Sequence, residues 1–189
     1  TTFMGVPHTL LSPEGDLVFG MTMKYTGSQN GRICRVAGDD GALTGCWDYT
    51  IAGTTIIRLN DLTVDSLGRV AAAYGSYVAN STNAHYAVRV MTSTGAVAWT
   101  YVGFAQQGWS LAAGLGGDLY LGLYRSALAM RFDAAGSLKW TKTVAPAGAS
   151  FATIADVVVD ASGAPIVVAI GDNNAVLVRE LKRNNGATQ

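Results

Sequence analysis

A chain of 189 residues, 49% hydrophobic and 14% charged, is too apolar for a disordered segment and fits one domain or one array of small repeats. Thirteen Lys and Arg balance thirteen Asp and Glu, which leaves no basic footprint for nucleic acid or an anionic membrane. A mean hydropathy of +0.24 implies elements buried on more than one side, yet no run approaches the ~18 apolar residues of a membrane span.

The opening residues Thr1 to Gly5 lack the basic region and apolar core of a signal peptide, so any export signal is expected to have been removed or never present. Thr2–Val6 reads as a short strand. Next come two apolar strands around a turn ending in Gly, Leu10 to Phe19 with the turn Ser12-Pro13-Glu14-Gly15. A second hairpin follows, from Arg35 through Gly38-Asp39-Asp40-Gly41 to Trp47. Cys34 and Cys46 flank that turn, where they could form a cross-strand disulfide or remain two small buried hydrophobes.

The same order recurs three more times. Leu62–Ala71 turns through Asp65-Ser66-Leu67-Gly68, and Arg89 leads through Gly95 to Trp99. Ser110–Leu121 turns through Gly114-Leu115-Gly116-Gly117, and Arg131 leads through Gly136 to Trp140. Asp156–Val167 turns through Asp160-Ala161-Ser162-Gly163, and Arg179 leads into Asn184-Asn185-Gly186, with no Trp before Gln189. Gly15, Gly68, Gly117 and Gly163 stand 53, 49 and 46 residues apart, a period of propeller blades. Runs such as Val157-Val158-Val159 and Ile166 to Ile170 are apolar on both sides, as sheets packed on two neighbours require, and no segment carries a capped helical period.

The repeat of an apolar strand, Asp-x-x-Gly, a second apolar strand, a strand with Lys or Arg, Gly and then Trp resembles the bacterial β-propeller repeats labelled SBBP, and more loosely the quinoprotein-type repeats. Asp65–Gly68 and Asp160–Gly163 fit the Asp-x-x-Gly element, while Ser12 and Gly114 replace its Asp elsewhere. The resemblance implies an all-β fold, a four-bladed β-propeller of four-stranded antiparallel blades. Blades are expected over 7–51, 52–103, 104–144 and 145–189, with 1–6 as a closing strand that completes the last blade. The recurring Arg35, Arg89, Arg131 and Arg179 are expected to lie on aromatic or acidic neighbours, and Trp47, Trp99 and Trp140 to wedge the space where blades splay apart.

Chemistry-bearing patterns are sparse. His8 and His85 are the two histidines; neither has metal-ligand spacing to a Cys, Asp or second His, and no Gly-x-Ser-x-Gly elbow is present. Asp39-Asp40 and Asp172-Asn173-Asn174 do not follow a complete calcium loop. The expectation is therefore no catalytic residue, no metal and no cofactor. Two strand-two-to-three connections read as long loops, Thr22 to Gly31 and Gly75 to His85. With the inter-blade segment they assemble a candidate ligand surface of Tyr25, Asn30, Tyr77, His85, Gln106, Gln107 and Trp109, in which aromatic faces supply area and amides supply directional hydrogen bonds. The function expected is non-enzymatic recognition of a glycan or protein surface, in a secreted, cell-surface or phage-tail setting, outside the cell or on a virion. The rivals are a purely structural assembly domain, which could include homo-oligomers such as two chains sharing an eight-bladed ring, and an enzyme using His85 as base. Nucleic acid and membrane insertion are not expected.

Overall fold

The computed structural model describes residues 2–3, 8–25, 28–49, 56–77, 84–104 and 107–188; at 2–3, 24–25, 28–29, 49, 56, 76–77, 84 and 104 the description is of the backbone alone. Four antiparallel sheets follow one another along the chain. The first contains β1 (Thr2–Phe3), β2 (His8–Leu11), β3 (Leu17–Tyr25), β4 (Ser28–Val36) and β5 (Leu43–Tyr49), and the second β6 (Ile56–Val64), β7 (Val70–Tyr77), β8 (Ala84–Met91) and β9 (Val97–Phe104). The third holds β10 (Gln107–Ala113), β11 (Leu119–Tyr124), β12 (Leu128–Phe132) and β13 (Leu138–Thr143), and the fourth β14 (Ala152–Val159), β15 (Pro165–Gly171) and β16 (Val176–Glu180). A bridge from Leu181 to Thr188 starts one further pairing beside β16. Helical geometry among the described residues is confined to one 3-10 turn, Leu115–Gly117.

The turns show why these residues fold locally. In Asp65–Gly68 the Asp65 carboxylate accepts from the backbone N–H of Leu67 and Arg69 at 2.9 and 3.0 Å, and Gly68 adopts φ +70°. Asp160 does the same for Ser162 and Ala164, both at 2.9 Å, ahead of Gly163 at φ +83°. An Asp side chain thus closes the turn while Gly takes the left-handed residue that a Cβ disfavours. Where Gly114 replaces the Asp, no side chain can do this, and the chain makes the 3-10 turn instead.

First strands lie innermost, β2 against β6, β6 against β10 and β10 against β14. Interior sheets bury both faces, so alternating residues of one strand enter different cores. In β7, Val70, Ala72 and Tyr74 join Val18 and Ile33 of the first sheet, whereas Ala71 and Ala73 join Leu111, Leu121 and Phe132 of the third. Tyr120, Ala129 and Trp140 meet Ile154, Val157, Val167 and Ala169 between the third sheet and the fourth. The outermost strands are held by a repeated fit: each Trp lies against the Gly turn of the following sheet. A Cβ on Gly95 would overlap the Trp47 indole, one on Gly136 would press on Trp99, and one on Gly186 on Trp140. Trp99 and Trp140 also donate through Nε1 to the carbonyls of Ala134 and Arg183, at 3.2 and 2.9 Å. The expected wedges are therefore present.

Two expectations need correction. Thr2–Phe3 pairs with Lys24 and Met23, so the opening residues extend the first sheet and do not complete the fourth. The nine-residue β3 accommodates this: β2 covers it only from Leu17 to Gly20, which leaves the rest of that edge for Thr2–Phe3 to pair. Among the described residues, no packing like that between neighbouring sheets joins the fourth sheet to the first. The four arginines are also not equivalent. Arg35 and Arg131 pair with Val18 and Tyr120 and face the following sheet, whereas Arg89 and Arg179 pair with Ala72 and Val167 on the opposite face. Arg35 donates to Asp16 at 2.5 Å; Arg131 and Arg183 share the buried Asp118, at 2.8 and 2.7 Å. The Arg35 bond lowers the Asp16 carboxyl below its ordinary value.

Two outcomes test this packing. Trp140→Ala removes a 9% exposed indole and its hydrogen bond and is expected to cost about 3–5 kcal/mol in urea unfolding. Burial pushes the Tyr86 phenol up to about 12 from an ordinary 10.0. The neutral phenol is the form the fold prefers, so its contribution is complete below pH 10 and is lost as pH rises from 10 toward 12. Tyr86→Phe should accordingly flatten the alkaline fall in melting temperature, although the buried Tyr120, also raised, keeps a share of it.

Candidate functional site

The first strands of the second, third and fourth sheets each carry one extra residue. The register shifts at Asn60 in β6, at Trp109 in β10 and at Ala155 in β14. A bulge unpairs backbone groups and re-aims side chains. Asp61, Ser110 and Asp156 stand immediately after it, opposite Ala73, Gly122 and Val168, and His8 holds the equivalent position in the first sheet, opposite Gly20.

These four side chains form a polar row along the inner strands. His8 Nδ1 lies 3.6 Å from Asp61 Oδ1. Asp61 accepts from the backbone N–H of Leu111 at 2.7 Å through its other oxygen. Ser110 donates to Asp156 at 2.9 Å and accepts from the N–H of Val157 at 3.0 Å. The second and third sheets thus each satisfy a backbone donor beside the bulge of the next one, a requirement for buried backbone. Asn60 adds a bond from Nδ2 to the Gly108 carbonyl at 2.5 Å. Ser110 has no imidazole partner in this row and is committed to Asp156 and Val157, so it is a connector and not an activated nucleophile.

Beside this row, at the end of the sheets, Trp109 is 41% exposed and stacks on Tyr124 with ring centroids 4.9 Å apart. The Arg125 guanidinium lies over the Tyr124 ring, 5.4 Å from its centroid. The turn that carries it is strained: Arg125 and Ala127 have φ of +60° and +51° without being Gly, and the buried Ser126 hydroxyl between them has no hydrogen-bond partner. Strain of this kind persists only where its surroundings hold it, here including a bond from the Arg125 N–H to Thr153 Oγ1 at 3.2 Å.

The residues expected from sequence are distributed unevenly around this feature. Trp109 and Gln107 share β10; Gln107 pairs with Tyr124 and lies with Asn60 over Gly75. His85, half-buried, belongs to β8 and pairs with Ser76 and Phe104. Asn30 pairs with Met23 in the first sheet, one sheet away from β8 and two from Trp109. Tyr25 and Tyr77 are placed by backbone only, and Gln106 lies outside the described residues. The loop expected at 22–31 is instead a hairpin whose strands stay paired as far as Tyr25 and Ser28, and that at 75–85 is paired as far as Tyr77 and Ala84. Long partner strands override the low strand preference of Asn and Gly there. The row of His8, Asp61, Ser110 and Asp156, together with Tyr124 and Arg125, was not anticipated. Its signal is a polar residue just before the apolar run in three repeats, Asp61, Ser110 and Asp156, with Thr9 standing between His8 and the run in the first. Among the described residues no three His, Cys, Asp or Glu converge as metal ligands.

No family model and no curated protein matches the sequence. The fold itself is widely shared with solved structures, and it is that of a β-propeller. A Dos1 propeller is similar with a TM-score of 0.60 and 13% identity over 95% of this chain and 46% of its own. A protein of unknown function from Bacteroides caccae gives 0.55 and 12% over 94% and 60%. The quinohemoprotein alcohol dehydrogenase of Comamonas testosteroni gives 0.54 and 14% over 89% and 34%. The chain therefore spans less than two thirds of each of these structures, and the likeness is one of fold.

Arg125→Gly should leave stability unchanged or raise it by about 1 kcal/mol, because Gly relieves the left-handed strain at the cost of some unfolded-state entropy. Urea unfolding of the variant checks this, and a clear loss of stability would give the Arg125 side chain a packing role.

Proposed function

We propose that the chain is a non-enzymatic recognition module that binds carbohydrate where the inner strands meet the β11–β12 turn. The observation that carries this reading is the exposed Trp109 ring, stacked on Tyr124 and flanked by Arg125. A pyranose ring presents apolar C–H faces and a rim of hydroxyls, and an open aromatic face beside polar groups complements both. The adjoining Gln107 and the exposed Asp156 supply hydrogen-bond partners for hydroxyls. The repeat is read as SBBP-type. The Cys34–Cys46 disulfide, which joins paired residues of β4 and β5, favours an oxidising compartment and fits a surface or virion role.

A glycan array followed by calorimetry on its best ligand tests the proposal. Trp109→Ala is expected to weaken binding at least about tenfold, equivalent to ~1.4 kcal/mol, and Arg125→Gly to weaken it less, with the fold of both intact by circular dichroism. Binding that is indifferent to Trp109→Ala would place recognition elsewhere. Turnover of a bound glycan, lost in His85→Ala, would make the chain an enzyme.

A further inference from the structure

Interior joints between sheets repeat the same fits, and the two outer sheets each hold half of one. At the inner turns Glu14 approaches Gly68, Leu67 approaches Gly117 and Leu115 approaches Gly163. At the outer turns Trp47, Trp99 and Trp140 lie on Gly95, Gly136 and Gly186. Gly15 and Gly41 occupy the same two positions in the first sheet, also at positive φ, and both face open space. The free face around them is apolar, with Leu11, Leu17 and Leu43 exposed by 71, 36 and 64%. Leu17 stands where the second sheet has Val70, 1% exposed. The fourth sheet leaves the opposite face free: Val158, Ile170, Val176 and Val178 are exposed by 47, 43, 63 and 62%. Val178 stands where the second sheet has the fully buried Val88.

We propose that these are the two halves of one further joint and that a second copy of this chain occupies them. The first sheet of each copy packs on the fourth sheet of the other, twice, closing a ring of eight sheets about a two-fold axis. Three interior joints show what covers each face, namely another sheet in the same register, and both complementary faces are present on one chain. Charge agrees: Asp156 ends the axial row exposed and would meet His8 of the second copy, repeating the His8 to Asp61 approach within the chain. Two differences make the joint weaker than the interior ones. The fourth sheet brings no indole to Gly41, and Val168 stands where Gly20, Ala73 and Gly122 leave room for the neighbouring inner strand.

Sedimentation or light scattering over a concentration series should show the mass rising from 19.7 kDa to twice that value. Leu11→Asp and Val178→Asp alter exposed positions, so both variants should keep the wild-type circular dichroism, and each alone should stay monomeric. Mixing them should restore a heterodimer, because the intact first sheet of the Val178→Asp protein can meet the intact fourth sheet of the Leu11→Asp protein. A monomer at every concentration overturns the proposal, as does dimerisation that survives in either single variant or a mixture that stays monomeric.

Discussion

The contact between a tryptophan on an outermost strand and the glycine turn of the following sheet sets the spacing of everything inside it. Sheets arranged around an axis diverge outward, and the gap is widest where the outermost strands run. An indole is the largest apolar body available to fill that gap, and it fits only if the turn it meets has no Cβ. Gly95, Gly136 and Gly186 therefore answer two demands at once, a left-handed φ and a surface flat enough for a ring. The indole N–H needs a partner once covered, and the carbonyls of Ala134 and Arg183 on those turns supply one. With the outer edges fixed, the inner strands are brought near enough for Gly20 and Gly122 to receive Leu59 and Ile154.

The low charge of the chain follows from the same geometry. A sheet packed on both sides offers few positions where a charged side chain reaches water, so charge collects at turns and strand ends. Where an ion does enter a joint it comes with its counter-ion: Asp118, 4% exposed, takes both Arg131 and Arg183, and Arg69 pairs with the fully buried Asp65 while reaching the Ala134 carbonyl. Such groups cost more unpaired than they contribute paired, so they specify alignment between sheets more than they add stability.

Periodicity made most of the architecture readable. Strand pairs, Asp-x-x-Gly turns and Arg-to-Trp hairpins recur at intervals that only repeated sheets explain, and strands form at each of these signals, running on into the segments read as loops at 22–31 and 75–85. The misread arginines and the missed contact of Trp109 share a cause, which is register. One extra residue reverses the face of every later side chain in a strand. Arg35 and Arg89 look alike in sequence yet point to opposite neighbours, since the segment between the inner turn and the arginine differs in length. The bulges at Asn60, Trp109 and Ala155 have no local composition that announces them. For the same reason Trp109 was legible as a ligand-facing aromatic, but its partner Tyr124 was not, because their contact depends on a pairing across β10 and β11 that is itself shifted by the bulge.

That shift also explains why polar chemistry gathers at the inner strands of an otherwise apolar molecule. A regular strand at the axis would satisfy its own ladder and need only aliphatic side chains. A bulged one leaves an N–H to be satisfied, and in the third and fourth sheets the preceding sheet offers the acceptor, Asp61 to Leu111 and Ser110 to Val157. Polarity at these positions is thus imposed by packing before any ligand is considered, and a row of carboxylates and hydroxyls is not by itself a site. Trp109 and Arg125 answer to no such requirement. One is an exposed ring at the bulge itself, the other a cation on a strained turn over the same aromatic pair. The packing of the sheets would be served by smaller or apolar residues at both places, and this is why the functional reading rests on them and not on the row.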